Sequence, residues 1–294
     1  MNYLKSLEFE TKIRFISEFI VKLSSFLIIP IITYKIGIKA YGEYVVILCI
    51  INGLIPIILL GLNFSIIKKL AHIKSIKVNT IKLYSSILII SFFSLSFFFF
   101  FLLVTEFFYN DLFVINLCVC LLAYFTAVQL LLYEFLRSKL KSNLFCYFQI
   151  FDSIFLIILI LLIEIFLKLN LVKFLSALII IKIFTITFIL LAAIKLKMIN
   201  FKYLSLDRNL RRNYLSSGLI FIGLGISEWL INFSDKIILS YFLSPLYLGV
   251  YFTAGMFASS LNSLGSVFWW DLFPKFNNLK KKIIIKKFIK LLGK

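Results

Sequence analysis

Eight stretches of this chain are long and apolar enough to cross a bilayer: residues 12–34, 44–67, 83–104, 112–133, 145–167, 174–194, 215–242 and 247–273. A helix needs about 20 such residues to cross the hydrocarbon. No water there satisfies backbone N–H and C=O groups, so only helices or a closed barrel can span it. Barrel strands alternate with period two over about ten residues. The run "SSILIISFFSLSFFFFFLLV" from Ser85 to Val104 does not alternate. The expected fold is therefore all-α, a polytopic membrane helix bundle of about eight transmembrane helices. Composition agrees, because 62% of residues are hydrophobic, where a soluble domain is about half apolar. The first apolar run is about 20 residues long with no small-residue cleavage site after it. It reads as a retained first span and not as a signal peptide.

The formal charge of +19 comes from 32 Lys and Arg against 13 Asp and Glu. A charge of that size can mark a nucleic-acid binder. Here the basic residues cluster in the gaps between apolar runs, which is the positive-inside pattern, and nucleic acid is rejected as a partner. The N-terminal segment up to Arg14, then 68–82, 134–144, 195–213 and 275–294, hold 25 of the 32. The opposite set holds Lys35, Lys39, Lys168 and Lys173. This bias places both termini in the cytoplasm. His72 stands alone in one of the basic gaps and reads as solvated.

Cys49, Cys118, Cys120 and Cys146 all fall in apolar runs, without C-x-x-C spacing or a histidine cluster. They read as small apolar fillers, with neither disulfide, metal nor cofactor expected. The tail from Lys275 to Lys294 puts Lys286, Lys287, Lys290 and Lys294 on one helical face, with Phe288, Leu291 and Leu292 largely on the other. Such a segment either lies along anionic lipids or is one more basic loop. Trp269 and Trp270 read as interface anchors. Pro30 and Pro56 are expected to bend spans 1 and 2. Ala254-x-x-x-Ala258 and Gly255-x-x-x-Ser259 have the spacing of close helix packing.

An internal repeat lies beneath this pattern. "YKIGIKAYGEYVVI" from Tyr34 and "YFLSPLYLGVYFTA" from Tyr241 match at Tyr34 and Tyr241, Gly42 and Gly249, and Tyr44 and Tyr251, at a constant offset of 207. One stretch separates spans 1 and 2, the other spans 7 and 8. The repeat unit holds an even number of helices, so its copies run parallel.

The stretch "LIIPIITYKIGIKAYGEYVVI … GLNFSIIKKLA" resembles the opening two helices of Wzx-type polysaccharide flippases, in the larger group that includes MATE multidrug exporters and lipid II flippases. "SDKIILSYFLSPLYLGVYFTAGM … LFPKF" is similar to helices 7 and 8 of that group, with Asp235–Lys236, Gly249-Val250-Tyr251 and Pro274 as the matching residues. The resemblance implies one six-helix lobe over 1–194, a basic cytoplasmic linker over 195–213, the first two helices of a second lobe over 214–274, and a basic cytoplasmic tail over 275–294. Family members carry a complete second lobe, so this chain departs from the pattern at its C-terminal end.

Ionisable groups within spans cost about 2.5–3.5 kcal/mol each on insertion scales. Arg14, Glu18, Lys22 and Ser25 form a polar stripe on the first helix. Either the Glu18–Lys22 pair neutralises itself while Lys22 snorkels, or the stripe lines a cavity between lobes. Glu228, Asn232, Asp235 and Lys236 repeat the arrangement on span 7, where a local ion pair is the alternative. Asp152 lies about two turns into span 5 and Lys182 near the middle of span 6, while Glu164 reads as interfacial. No catalytic motif, metal site or P-loop is present.

The resemblance implies a non-enzymatic flippase that moves a polyprenyl-diphosphate-linked oligosaccharide across a bacterial inner membrane by alternating access. Arg14, Lys22, Lys182 and Lys236 would bind the anionic cargo, since lysines supply point charges to a pyrophosphate. Glu18, Asp152, Glu228 and Asp235 would couple protons. Implied partners are the lipid-linked oligosaccharide, anionic lipids, a polysaccharide polymerase and a chain-length regulator. The competing expectations are a MATE-like drug exporter, which needs cation-accepting carboxylates, a membrane polymerase or acyltransferase, and a non-functional fragment. Short outer loops with four basic residues argue against the polymerase.

Overall fold

A computed structural model describes residues 2–71, 73–108, 113–204, 216, 218–256 and 258, with side chains left aside for 2–11, 102–108 and 142. The expectations for His72, most of the basic linker, Trp269, Trp270, Pro274 and the tail lie outside the described residues. The helices are α1 (Asn2–Lys35), α2 (Ile38–Leu59), α3 (Leu62–Leu70), α4 (Ile76–Phe108), α5 (Phe113–Ser138), α6 (Ser142–Leu167), α7 (Leu171–Lys195) and α8 (Ile222–Phe242). A single 3-10 turn (Phe201–Tyr203) follows α7, and helical backbone resumes over 245–256 as α9. No strand occurs among the described residues.

Among the described residues six segments are long and apolar enough to cross a membrane: Lys12–Lys35, Ile38–Leu59, Ile76–Phe101, Phe113–Ser138, Asn143–Leu167 and Leu171–Lys195. The 21 residues of α8 are more polar, because Glu228, Asp235 and Lys236 lie among them. The chain is thus a multi-pass membrane helix bundle. Its apolar surface fits that setting: Phe15, Phe19, Leu23 and Leu27 of α1 all face outward, where lipid covers them.

Several boundaries differ from the sequence reading: α1 begins at Asn2 and α4 at Ile76, earlier than 12 and 83, and two further differences bear on the site. The stretch 44–67, expected as one span, breaks at Leu60 and Gly61, whose φ values of 48° and 65° are left-handed. Glycine takes that conformation freely, whereas leucine does so at a cost of roughly 1 kcal/mol. Apolar residues continue through the turn, so hydropathy could not reveal it. After the turn α3 buries Leu62, Ile66, Ile67 and Leu70, packing on α5. The second difference is α5, which stays helical to Ser138 and carries Glu134 and Arg137 into the bundle instead of a loop.

The core is organised around α5, which packs on α2, α3, α4, α6 and α7. Ala123 and Ala127, one turn apart and fully buried, let neighbouring backbones approach, while Leu131, Leu132, Phe135 and Leu136 fill the space beyond. Within a bilayer such contacts stabilise by dispersion and close fit, because lipid tails are as apolar as leucine. A second cluster joins Ile32 of α1, Val45 and Cys49 of α2, Ile160 of α6, Phe174 of α7 and Leu248 of α9. Cys49, Cys118 and Cys146 are buried and Cys120 half-buried, the packing expected of apolar fillers.

One seam runs along α2, with α8 and α9 against it, and glycines make it close. A Cβ at Gly42 would collide with the backbone carbonyl of Pro245. At the other end a Cβ on Gly61 would strike the Gly218 carbonyl. Between them, Gly53 leaves room for the Trp229 ring, where a Cβ would lie 2.8 Å away, and Trp229 Nε1 donates to the Cys49 carbonyl at 3.0 Å. Gly42 and Gly249, the matched glycines of the repeat, are neighbours here, since a Gly249 Cβ would lie 3.6 Å from the Gly42 nitrogen. The packing expected of Gly255 is different: it meets open space among the described residues.

The end of α3 is capped from α5. Lys139 Nζ donates to the carbonyls of Leu70 at 2.9 Å and Ile73 at 2.5 Å. Burial, followed by the like charge of Lys82, pushes the Lys139 ammonium down to about 8 from 10.5. Between those values the unfolded chain binds more protons than the folded one, so stability rises with pH across that window. Lys139→Met should flatten the rise from pH 8 to 10.5 in a thermal melt of the detergent-solubilised protein. Gly42→Ala should lower the melting temperature by the equivalent of about 1–3 kcal/mol through overpacking. Gly223→Ala, with nothing within 4 Å, should gain up to about 1 kcal/mol in helix stability. Equal shifts for the two variants would remove the seam from this account.

Candidate functional site

Beside the seam lies a cavity of about 530 Å3, bounded by α2, α3, α5 and α8. That volume is in the range of about 300–1,000 Å3 typical of small-molecule sites. The apolar wall comes from Ile55, Leu59, Ile67 and Leu130, with Phe64, Trp229 and Phe233 adding aromatic rings. Polar groups enter from each helix: Asn52 from α2, Asn63 from α3, Glu134 and Arg137 from α5, Glu228 and Asn232 from α8. These positions fall in the half of the bundle nearer the basic segments, at the end away from Gly42 and Pro245.

Glu134 and Arg137 are three residues apart on a helix and face the same way. Arg137 Nη1 lies 3.2 Å from Glu134 Oε2, and both side chains are about nine-tenths buried. On α8, Asn232 Nδ2 donates to the Glu228 carbonyl at 2.7 Å, which leaves its amide oxygen toward other partners. Glu228 makes no ion pair among the described residues.

Of the eight charged residues singled out in the sequence, Glu228 lines this cavity and the other seven do not. Arg14 is buried inside the first six helices, with Nη2 2.6 Å from Glu18 Oε1 and Nη1 donating to Gln149 Oε1 of α6 at 3.2 Å. Its guanidinium also sits 4.2 Å above the Phe145 ring. Glu18 therefore pairs with Arg14, one turn back, rather than with Lys22. Lys22 is half-buried and enters neither this ion pair nor the cavity.

Asp152 of α6 and Lys182 of α7 meet at 2.7 Å, and Thr185 donates to the second carboxylate oxygen at 2.7 Å. Asp235 and Lys236 pair with each other at 2.9 Å, Tyr251 donates to Asp235 at 2.8 Å, and Lys236 also donates to the Asn232 carbonyl at 2.6 Å. At the outer end Lys35 and Glu164 join α1 to α6 at 2.9 Å, consistent with the interfacial reading of Glu164.

Sequence reasoning missed Glu134, Arg137, Asn52, Asn63 and Trp229. The first two were assigned to a loop, although a Glu-x-x-Arg continuing an apolar run is the spacing of a helical ion pair. The asparagines carry no charge and gave no signal in a search for intramembrane ions.

A multi-pass helix bundle with a mixed polar and aromatic cavity between membrane helices has the form of a transporter-like membrane protein. A family model described as polysaccharide biosynthesis protein matches residues 11–280, and the chain belongs to that family. No curated protein and no solved structure matches the chain.

The Asp152–Lys182 contact supplies a direct test of how buried charge is held. Lys182→Ala leaves Asp152 without its cation and should destabilise by about 3–5 kcal/mol. Asp152→Asn combined with Lys182→Met should recover most of that loss. Thermal unfolding in detergent measures both, and an undisturbed single variant would show the pair to be dispensable.

Proposed function

We propose that the protein exports a lipid-linked oligosaccharide across a bacterial inner membrane for surface polysaccharide synthesis, by alternating access. The observation that carries this reading is the cavity between the first six spans and α8, joined to membership of a polysaccharide biosynthesis family. Two lobes, 1–194 and the segment from 214 onward, rock about the glycine seam. The cavity lies on the basic side of that seam and the Gly42–Pro245 contact closes the other. Cargo enters from the cytoplasm, the contact at Gly42 separates, and cargo leaves outside.

Within this reading the charged residues divide by task. Arg14–Gln149 and Asp152–Lys182 tie α1, α6 and α7 into one lobe. Asp235–Lys236, held by Tyr251, tethers α8 to α9. Arg137 and Glu228 meet the cargo. The exposed carboxylate of Glu228 also favours one rival, export of an organic cation, because an unpaired acid in an aromatic cavity attracts such a ligand.

Complementation of a deletion strain separates the readings. Wild-type chain should restore surface polysaccharide. Arg137→Ala, at matched protein level, should lower output by at least about tenfold, which needs only 1.4 kcal/mol of lost binding. Unchanged polysaccharide in the deletion strain, together with new drug sensitivity, would replace the oligosaccharide with a cationic drug as cargo.

A further inference from the structure

The cargo proposed above has two chemically opposite parts, a polyhydroxyl glycan and a diphosphate, and the inference here rests on that reading. The three intramembrane lysines suited to a diphosphate are not in the cavity. Lys182 is held by Asp152, Lys236 by Asp235, and Lys22 lies elsewhere on α1. Among the described lining residues the charged groups are Glu134, Arg137 and Glu228. The first two are paired at 3.2 Å, so among the described lining residues Glu228 is the charge without an ion-pair partner, and it is negative.

Hydrogen-bond chemistry points the same way. An ionised carboxylate only accepts. Sugar hydroxyls donate to it, whereas phosphate oxygens offer it no proton and repel it. Asn52, Asn63 and Asn232 carry amides that both donate and accept, which suits hydroxyls. Trp229 and Phe233 line the same space with aromatic rings, Lys236 Nζ lying 5.7 Å from the Phe233 centroid, and an aromatic ring is a surface on which the apolar face of a pyranose can pack. The indole N–H is already bound to the Cys49 carbonyl, so Trp229 is fixed in place as a wall.

We propose that this cavity receives the glycan portion of the cargo and keeps the diphosphate outside, with Glu228 as the residue that accepts from hydroxyls and excludes phosphate. The lipid and diphosphate remain at the basic edge of the bundle while the sugars occupy the space between α2, α3, α5 and α8. Glu228 is then a specificity-determining residue, selecting neutral or amino sugars over acidic ones at its position.

Site-specific photocrosslinking in the polysaccharide-producing strain tests this without knowledge of the sugar. A diazirine amino acid replaces Asn232, cells are labelled with radioactive phosphate, and the purified full chain is irradiated and then treated with mild acid, which cleaves the glycosyl–phosphate bond. The expected product retains periodate-reactive sugar on the protein and loses its radioactive phosphate. Phosphate retained with sugar lost, or no sugar captured at position 232 or at position 63, overturns the proposal. Glu228→Gln should raise the phosphate-retaining share of the product at least about threefold, and an unchanged share removes Glu228 from selection. Surface polysaccharide in the same cells reports the export reading separately. Restored polysaccharide with phosphate captured at position 232 leaves export standing and sinks the glycan assignment.

Discussion

Every ionised side chain within the hydrocarbon must find its counter-charge or water inside the protein, since lipid offers neither. The described structure follows that constraint closely. Arg14 is met by Glu18 and Gln149, Asp152 by Lys182 and Thr185, Asp235 by Lys236 and Tyr251, and Glu134 by Arg137. Two of these sets join different helices of the first six spans, so the neutralisation that permits burial also orients α1, α6 and α7 relative to one another. The gain in net stability from such pairs is modest, because desolvation offsets most of the attraction. Their larger effect is on which faces can be buried together.

Lys22 and Glu228 enter none of these ion pairs, and Glu228 lies at the cavity. Glu228 is exposed and without a cation among the described residues; it shares the cavity with the Glu134–Arg137 pair, with Asn52 and Asn63 from other helices and with Asn232 one turn along its own. A cavity built that way differs from the cationic chamber expected from lysine content alone. Total charge is a poor guide here: most of the +19 sits in segments between spans, where it sets orientation. Among the described residues, the charged groups that line the cavity are Glu134, Arg137 and Glu228.

The seam between α2 and α8 depends on a different property, the absence of side chains. Gly42, Gly53 and Gly61 on one side face Pro245, Trp229 and Gly218 on the other at distances that no Cβ would allow. Close glycine contacts hold surfaces together by dispersion without interlocking side chains. The same close approach puts the matched repeat glycines Gly42 and Gly249 next to each other.

The sequence by itself determined that this chain crosses a membrane several times as helices, because run length, lack of alternation and the distribution of lysines depend only on local composition. It also pointed to Asp152, Lys182, Asp235, Lys236, Arg14 and Glu18 as residues needing partners, since a charge within an apolar run is visible without a structure. Tertiary structure alone decided the partners. Glu18 chose Arg14 over Lys22, and Lys182 found an acid 30 residues earlier on another helix. The turn at Leu60–Gly61 and the helical extension through Arg137 were hidden because hydropathy averages over the few backbone angles that create them. The cavity was hidden for a related reason: its asparagines and aromatics are ordinary in sequence and gain meaning only when four helices bring them to face one space.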